Sequence, residues 1–334
     1  MARRKSTRGS KIQPAAMTLT FNYDVTASPN AFIDLSQVAS LVNRRFYRQG
    51  INWAVAGFKV LTTGTGQIQI SKLPNTWVMS NSWEKGFRTW QKMNNEAIAE
   101  AGSLRPRFLD FKIYADAAHH ALGSGNNLLP VSSGLGVFAP GEWDYSTYEV
   151  PQSTTDASTV GGNSVTRDVV AVGANYVGPG ASGNFALSLI EGYAASRALP
   201  NIEDPNMPED ASSAGGNLPQ NWQVALFNDG SQQDSEVIQD LETQNNQAPY
   251  PFENDGINLD TMYPGGANQG PGLQIHDVEL VTATTIGGTT RLKGGNFPCG
   301  LVNIASTIEG QITLQIDLVP GNHRGYLCEP MTEM

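Results

Sequence analysis

Four histidines, two cysteines and 31 carboxylates are the side chains from which this 334-residue chain would have to build an active site or a metal centre. None of them falls at a spacing that such chemistry demands. His119 and His120 are adjacent, so on a strand they face opposite sides and on a helix they diverge; neither arrangement chelates a metal. His276 and His323 stand alone. Gly64-Thr-Gly66 is too short for a dinucleotide fingerprint, no Gly-Lys-Ser/Thr phosphate loop occurs, and Gly180-Ala-Ser182-Gly-Asn184 lacks the second glycine of a nucleophile elbow. Glu203-Asp204, Glu209-Asp210 and the run Asp229 to Glu236 carry carboxylates without the spaced ligands and central glycine of a calcium loop. A solvated acidic surface is the simpler reading, with a cation shared between subunits as the alternative. The expectation is a protein that is not an enzyme and needs no cofactor and no resident metal.

The cations are more informative. Arg3, Arg4, Lys5, Arg8 and Lys11 fall within the first eleven residues, with Ser, Thr and Gly between them and no acid before Asp24. Like charges on a segment with nothing to bury keep it disordered in isolation, and each cation can displace a condensed counterion from a phosphate. Residues 1–16 are therefore expected to be a disordered basic arm that binds nucleic acid; a solvated terminus or a nuclear-import signal is the blander reading. The asymmetry continues beyond the arm. Residues 1–112 hold 16 basic and 6 acidic side chains, residues 113–334 hold 5 and 25, and from Ala198 to Thr290 there is no Lys or Arg at all. The net charge of −10 averages over two regions suited to different surroundings.

These groups need elements to position them. In Met17 to Val25 every odd residue is apolar, which predicts a strand with one buried face. Asp34 is placed to cap a helix running to about Gln49, with Leu35, Val38, Val42 and Phe46 as its apolar stripe and Gly50 as its stop. That helix would end on Arg44, Arg45 and Arg48, where the helix dipole favours cations with or without a ligand. Strands are expected at 51–61, 66–73, 107–115, 273–283 and 310–320. A second helix is expected from a capping box at Asn81-Ser-Trp-Glu84 to about Ala101, its Trp83, Phe87 and Trp90 serving as core and not as a stacking platform. Residues 122–272 are rich in Gly, Ser, Asn, Gln and Pro, with short candidate strands at 142–150, 165–172 and 222–227 and short helices near 185–197 and 235–244.

The N-terminal residues lack the apolar stretch of a secretory signal, no apolar run is long enough to span a membrane, and no Asn-x-Ser/Thr acceptor occurs. Cys299 and Cys328 are expected to be free thiols in a reducing compartment. Strands at both ends of the chain imply pairing of distant segments. The expected fold is mainly β: a single jelly-roll antiparallel sandwich over 17–334, with a few short helices in its connections and 122–272 as long surface loops or a projecting insertion.

The basic arm running into an alternating strand, the stretch Ser80-Asn-Ser-Trp-Glu-Lys-Gly-Phe-Arg-Thr-Trp90 and the ending Leu314-Gln-Ile-Asp-Leu-Val-Pro-Gly-Asn-His-Arg-Gly-Tyr326, with Met331 and Met334 beyond it, resemble the capsid proteins of small circular Rep-encoding single-stranded DNA (CRESS-DNA) viruses. The resemblance covers roughly 17–115 and 273–331. It implies a jelly-roll subunit that self-assembles into an icosahedral shell around a single-stranded DNA genome, with the arm turned inward and a host receptor met through outer loops. It implies a protein found in the virion and, during assembly, in the host nucleus or cytoplasm. Arg3, Arg4, Lys5, Arg8 and Lys11 match the family's basic arm. Arg44, Arg45 and Arg48, with Arg105, Arg107 and Lys112, are added from the charge distribution as further candidates for the inner surface. The capsid of a small RNA virus, or a lectin-like jelly-roll binding module, would give nearly the same signals.

Overall fold

Alternating burial organises the strands at both ends of the chain. In the computed structural model, β1 (Thr18–Asp24) turns Leu19, Phe21 and Tyr23 inward, and β13 (Gln311–Leu318) does the same with Ile312, Leu314, Ile316 and Leu318. The two strands pair antiparallel, Phe21 opposite Leu314, although almost 300 residues separate them. The structure describes residues 14–100, 110–133, 136–152, 165–174, 181–182, 185–190, 193, 272–282 and 286–334.

Between these ends run β2 (Asn30–Asp34), α1 (Leu35–Asn43), β3 (Ile51–Leu61), β4 (Gly66–Lys72), α2 (Trp77–Glu100), α3 (Ala117–Leu122), β5 (Val131–Ser132), β6 (Gly136–Val137), β7 (Thr147–Gln152), β8 (Val165–Val172), β9 (Phe185–Ser188), β10 (Gln274–Val281), β11 (Thr289–Phe297) and β12 (Leu301–Ser306). After β13 come the short β14 (Pro320–Gly321), β15 (Gly325–Tyr326) and β16 (Cys328–Pro330). The protein is mainly β and its two large sheets are antiparallel. One has the order β1-β13-β3-β11, with β16 against the start of β3; the other has the order β10-β4-β12-β2. β1 to β4 alternate between the two sheets, and so do β10 to β13, while β4 and β10 are neighbours in the same sheet.

The inner faces of both sheets supply one core, in which Leu19, Phe21, Val60, Ile70, Ile304 and Ile316 are at most 2% exposed. Burying each such side chain contributes about 1.5–3 kcal/mol. Strands β2, β11 and β12 were not anticipated. β2 is buried on both faces, so it lacks alternation, while β11 is polar and contains Gly294 and Gly295.

The segment between β4 and β10 builds against the outside of the second sheet. Phe32 of β2 and Leu301 of β12 point outward there and meet Val78, Met79 and Trp83 of α2, with Phe111, Ile113 and Tyr148. The expected core role of the aromatic stripe on α2 holds: Trp83, Phe87 and Trp90 surround Phe111 with ring centroids 5.7–5.9 Å away. α2 starts one turn earlier than the capping-box reading. Asn81 lies inside it, and Thr76 caps it by accepting from the Met79 amide at 3.4 Å. Around 110–115 no strand forms, only a single bridge from Tyr114 to Val172, although Phe111 and Ile113 are buried as expected. Residues 185–188, expected to open a helix, instead form β9, parallel to β8 in the small sheet β7-β8-β9. The expected strand at 222–227 and helix at 235–244 lie outside the described residues.

Asp34 joins the sandwich to this inserted segment. It caps α1 as predicted, Oδ1 accepting from the Ser36 and Gln37 amides at 3.0 and 3.2 Å. Its Oδ2 accepts from Gln49 Nε2 and Trp143 Nε1, both at 2.9 Å, and its side chain is fully buried. Gln49 in turn exchanges hydrogen bonds with the backbone of Ile113. Burial pushes the Asp34 carboxyl up to about 6.

Candidate nucleic-acid interface

The arm meets the sandwich at Pro14 to Met17, and this root is held from three directions. The Ala16 amide donates to Asn43 Oδ1 at 3.0 Å, the Tyr326 hydroxyl donates to the Ala16 carbonyl at 2.7 Å, and Asn43 Nδ2 donates to that hydroxyl at 2.7 Å. The ring of bonds links the end of α1, the β15 strand and the chain entering β1. Arg45 adds a fourth contact, its Nη1 donating to the Pro14 carbonyl at 3.1 Å.

The expected long helix is shorter here, and the change relocates its arginines. α1 ends at Asn43, and Arg44 takes a left-handed conformation (φ 52°, ψ 41°). The chain leaves the helix because Tyr47 is worth more in the core than on a helix surface. Tyr47 is 0% exposed, packs at 5.8 Å from Trp53 and 5.5 Å from Tyr326, and its amide donates to Ser40 Oγ at 2.9 Å. Arg44 and Arg48 are therefore not one turn apart on a helix. Both are exposed on the turn that follows it, with Arg45 half-buried between them. Gly50 does not stop the helix; a Cβ there would come within 2.3 Å of the Trp83 ring, so the residue is needed for close approach.

A fourth arginine joins this group that sequence reasoning missed. Arg324 lies in the tight connection between β14 and β15, also left-handed (φ 51°), with its guanidinium hydrogen-bonded to the Phe46 carbonyl. The Tyr47 hydroxyl donates to the Arg324 carbonyl at 3.0 Å. The turn-forming run Gly321-Asn-His-Arg-Gly325 was the available signal, but its position in space depends on Tyr47. Burial lowers the His323 pKa, helped by the adjacent Arg324 charge, so the cationic character of the patch near neutral pH comes from guanidinium groups.

Elsewhere several described cations are matched by acids, Lys59 with Asp317 at 2.6 Å, Lys293 with Asp277 at 3.9 Å, and Arg88 with Glu84, while Lys72 donates to the Asn296 carbonyl at 2.7 Å. Lys112, read from sequence as an inner-surface cation, is pinned 3.1 Å from Asp110 with its ammonium 4.8 Å over the Trp143 ring. Its charge is held within the fold, between a carboxylate and an aromatic face. Among the described residues no carboxylate pairs with Arg44, Arg48 or Arg324. Arg3, Arg4, Lys5, Arg8 and Lys11, and also Arg105 and Arg107, lie outside the described residues.

His119, His120 and the two cysteines are engaged within the fold, whereas Glu203, Asp204, Glu209, Asp210 and Asp229 to Glu236 lie outside the described residues. His119 is buried, stacked 4.5 Å from Phe32, with Nδ1 accepting from the Ala115 amide at 3.0 Å and Nε2 bonded to Asn127 Oδ1 at 2.8 Å. Burial drops its pKa to about 4, so it is neutral, with the proton on Nε2 facing the Asn127 oxygen. His120 Nε2 lies 2.5 Å from Ser182 Oγ, a pairing invisible in the sequence, but among the described residues nothing holds its other ring nitrogen as a catalytic base requires. Cys299 and Cys328 are unbridged, and burial pushes both thiols up, that of Cys328 to about 12. Among the described residues no three His, Cys, Asp or Glu side chains converge as metal ligands, and no helix is long and apolar enough to cross a membrane.

No protein family, curated protein or solved structure matches the chain.

Proposed function

We propose that this chain is the coat subunit of a small single-stranded DNA virus of the CRESS-DNA kind, assembling with copies of itself into an icosahedral shell and holding the genome through its basic arm. The observation that carries the reading is the junction of arm and sandwich. A segment with five cations in eleven residues enters the β1 strand at a clamped root, beside Arg44, Arg45, Arg48 and Arg324. Phosphate neutralisation by a polycationic segment continued by a fixed patch suits a genome contact that needs no base sequence.

The strand order supports a jelly roll as the sandwich. Eight strands lie in two sheets in the orders β1-β13-β3-β11 and β2-β12-β4-β10, and the first and last pair. Every connection among them but one passes between sheets, and the exception, β4 to β10, joins two neighbours of one sheet. Two interlocked Greek keys of this sort are used by viral coats and by lectins, so fold alone does not separate them. The cationic root favours the coat. The segment between β4 and β10, with its run from Ala198 to Thr290 free of Lys and Arg, is then the outward, receptor-facing part.

The test is assembly of the full-length chain expressed alone. Electron microscopy should show uniform closed particles, and nuclease treatment should leave protected nucleic acid inside them. Replacing Arg3, Arg4, Lys5, Arg8 and Lys11 by Gln should empty the particles. A chain that stays monomeric across salt and pH and binds an immobilised glycan would establish the lectin reading instead. Protected RNA in place of DNA would redirect the assignment to an RNA virus.

A further inference from the structure

We propose that His323 makes the genome contact proton-linked: a phosphate seated beside Arg324 draws a proton onto the imidazole, so single-stranded nucleic acid is held more tightly as pH falls below neutral. The inference adds regulation to the patch already read as a genome contact and rests on that reading.

His323 sits in the tight connection between β14 and β15, its amide donating to the Tyr326 carbonyl at 2.9 Å and its carbonyl accepting from the Tyr326 amide at 3.1 Å. That connection is seated on the segment that follows α1. The Arg324 guanidinium is tied to the Phe46 carbonyl, and the Tyr47 hydroxyl donates to the Arg324 carbonyl at 3.0 Å. The imidazole centroid lies 6.3 Å from that of the Tyr47 ring. A half-buried histidine is thereby fixed in the turn that brings a cation from the far end of the chain to Arg44, Arg45 and Arg48. Among the described residues, the histidine ring hydrogen bonds belong to His119, His120 and His276. Nor does a carboxylate pair with Arg44, Arg48 or Arg324 among those residues. An imidazolium here would stand among guanidinium groups with no anion to balance it until a phosphate arrives.

Burial and, after it, the Arg324 charge hold the imidazole below its ordinary 6.5. A phosphate beside Arg324 reverses the second cause and offers the ring an acceptor for a charge-assisted hydrogen bond. The empty patch therefore prefers neutral His323 and the occupied patch prefers the cation. Binding takes up a proton, and affinity rises as pH falls through the range in which the empty patch has not yet charged. The groups packed around the ring stay silent there. Burial raises Tyr47, Tyr326 and Cys328, the last two to about 12, and the guanidinium groups of Arg45 and Arg324 do not titrate. Above neutral pH the grip reduces to the arginines and the arm, so the same patch holds a strand in acid and loosens it in alkali.

The experiment follows binding of full-length protein, at concentrations below assembly, to a labelled 20-nucleotide thymidine strand by fluorescence anisotropy at pH 5.5 and pH 8, each across a salt series. Unaltered protein should bind roughly five- to twentyfold more tightly at pH 5.5, with a salt slope steeper by about 0.7. His323→Gln should lose most of that pH ratio. His323→Arg, charged at both values, should bind at pH 8 about as tightly as unaltered protein binds at pH 5.5. His276→Gln, on β10, should keep the full ratio. Titration calorimetry of unaltered protein at pH 6, in two buffers of different ionisation enthalpy, should show uptake of about 0.3–1 proton per protein bound. An α-amino group is already protonated at that pH and adds nothing. Salt-dependent binding of equal affinity at both pH values, without proton uptake, refutes the linkage and leaves the genome contact as an arginine one. A pH ratio and an uptake that persist in His323→Gln refute it as well, since the proton then goes elsewhere. If unaltered protein shows no salt-dependent binding to single strands at either pH, the linkage and the genome-binding reading fall together.

Discussion

Replacing Asp34 by Asn should change how stability depends on pH, and by an amount that the structure sets. The carboxyl is fully buried and its pKa in the fold is about 6, against an ordinary 3.8, chiefly because burial disfavours the charge and with Asp110 adding repulsion. An acid whose folded pKa is raised gives stability that is present below the unfolded pKa and lost as pH rises through the folded one. For these two values the loss between about pH 5 and pH 7.5 is roughly 1.4 kcal/mol. His119 opposes it. Its folded pKa of about 4, against 6.5, makes the protein lose roughly 2 kcal/mol as pH falls over the same window. The unaltered protein should therefore show a shallow profile that conceals two steep ones. Asn keeps the Oδ1 that caps α1 but turns a donor toward Gln49 and Trp143, each 2.9 Å from Oδ2, so the variant is also weakened at every pH. The diagnostic quantity is the difference between the two proteins, in which His119, His120 and His323 cancel. Urea unfolding followed by tryptophan fluorescence should show the deficit of Asp34→Asn deepening by about 1.4 kcal/mol from pH 7.5 to pH 5. A deficit that stays constant across that range would show that Asp34 titrates as an ordinary carboxylate and that the buried network is not as tight as drawn.

Two further outcomes follow from packing. Gly50→Ala places a methyl group 2.3 Å from the Trp83 ring and should cost roughly 1–3 kcal/mol in the same unfolding measurement, whereas Gly125→Ala, with nothing within 4 Å, should cost far less. Tyr326→Phe removes the hydroxyl that joins Asn43 to the Ala16 carbonyl and should lower stability by roughly 1–2 kcal/mol; limited proteolysis should then cut just before Met17 faster, and an unchanged cleavage rate would mean that the clamp does not hold the arm root.

Much of the sandwich was legible because burial on one face writes a period of two into the sequence. β1 and β13 are read from Leu19, Phe21 and Tyr23 and from Ile312 to Leu318, and β3, β4 and β10 fall where expected. The Asp34 cap was legible too, since a capping carboxylate acts on amides two and three residues away. β2 was not, because Phe32 faces the second core while Ile33 faces the first, and burial on both sides erases alternation. The end of α1 was misread for a related reason: the heptad-like spacing of Leu35, Val38, Val42 and Phe46 continues through a point where tertiary packing of Tyr47 outweighs helix propagation.

The candidate site divides along the same line. Charge density is a property of composition, so the basic arm and the cation-poor middle were fixed by the residues alone, whatever the fold. Which fixed cations stand beside the arm depended on three-dimensional accidents of packing. Arg324 arrives from the far end of the chain because Tyr47 binds its carbonyl, Lys112 is withdrawn by Asp110 and Trp143, and Phe46 is left outside because its neighbour goes in. Local pattern encodes what a segment does with its own neighbours, whereas contacts between residues some 280 positions apart exist only once the sheets have paired.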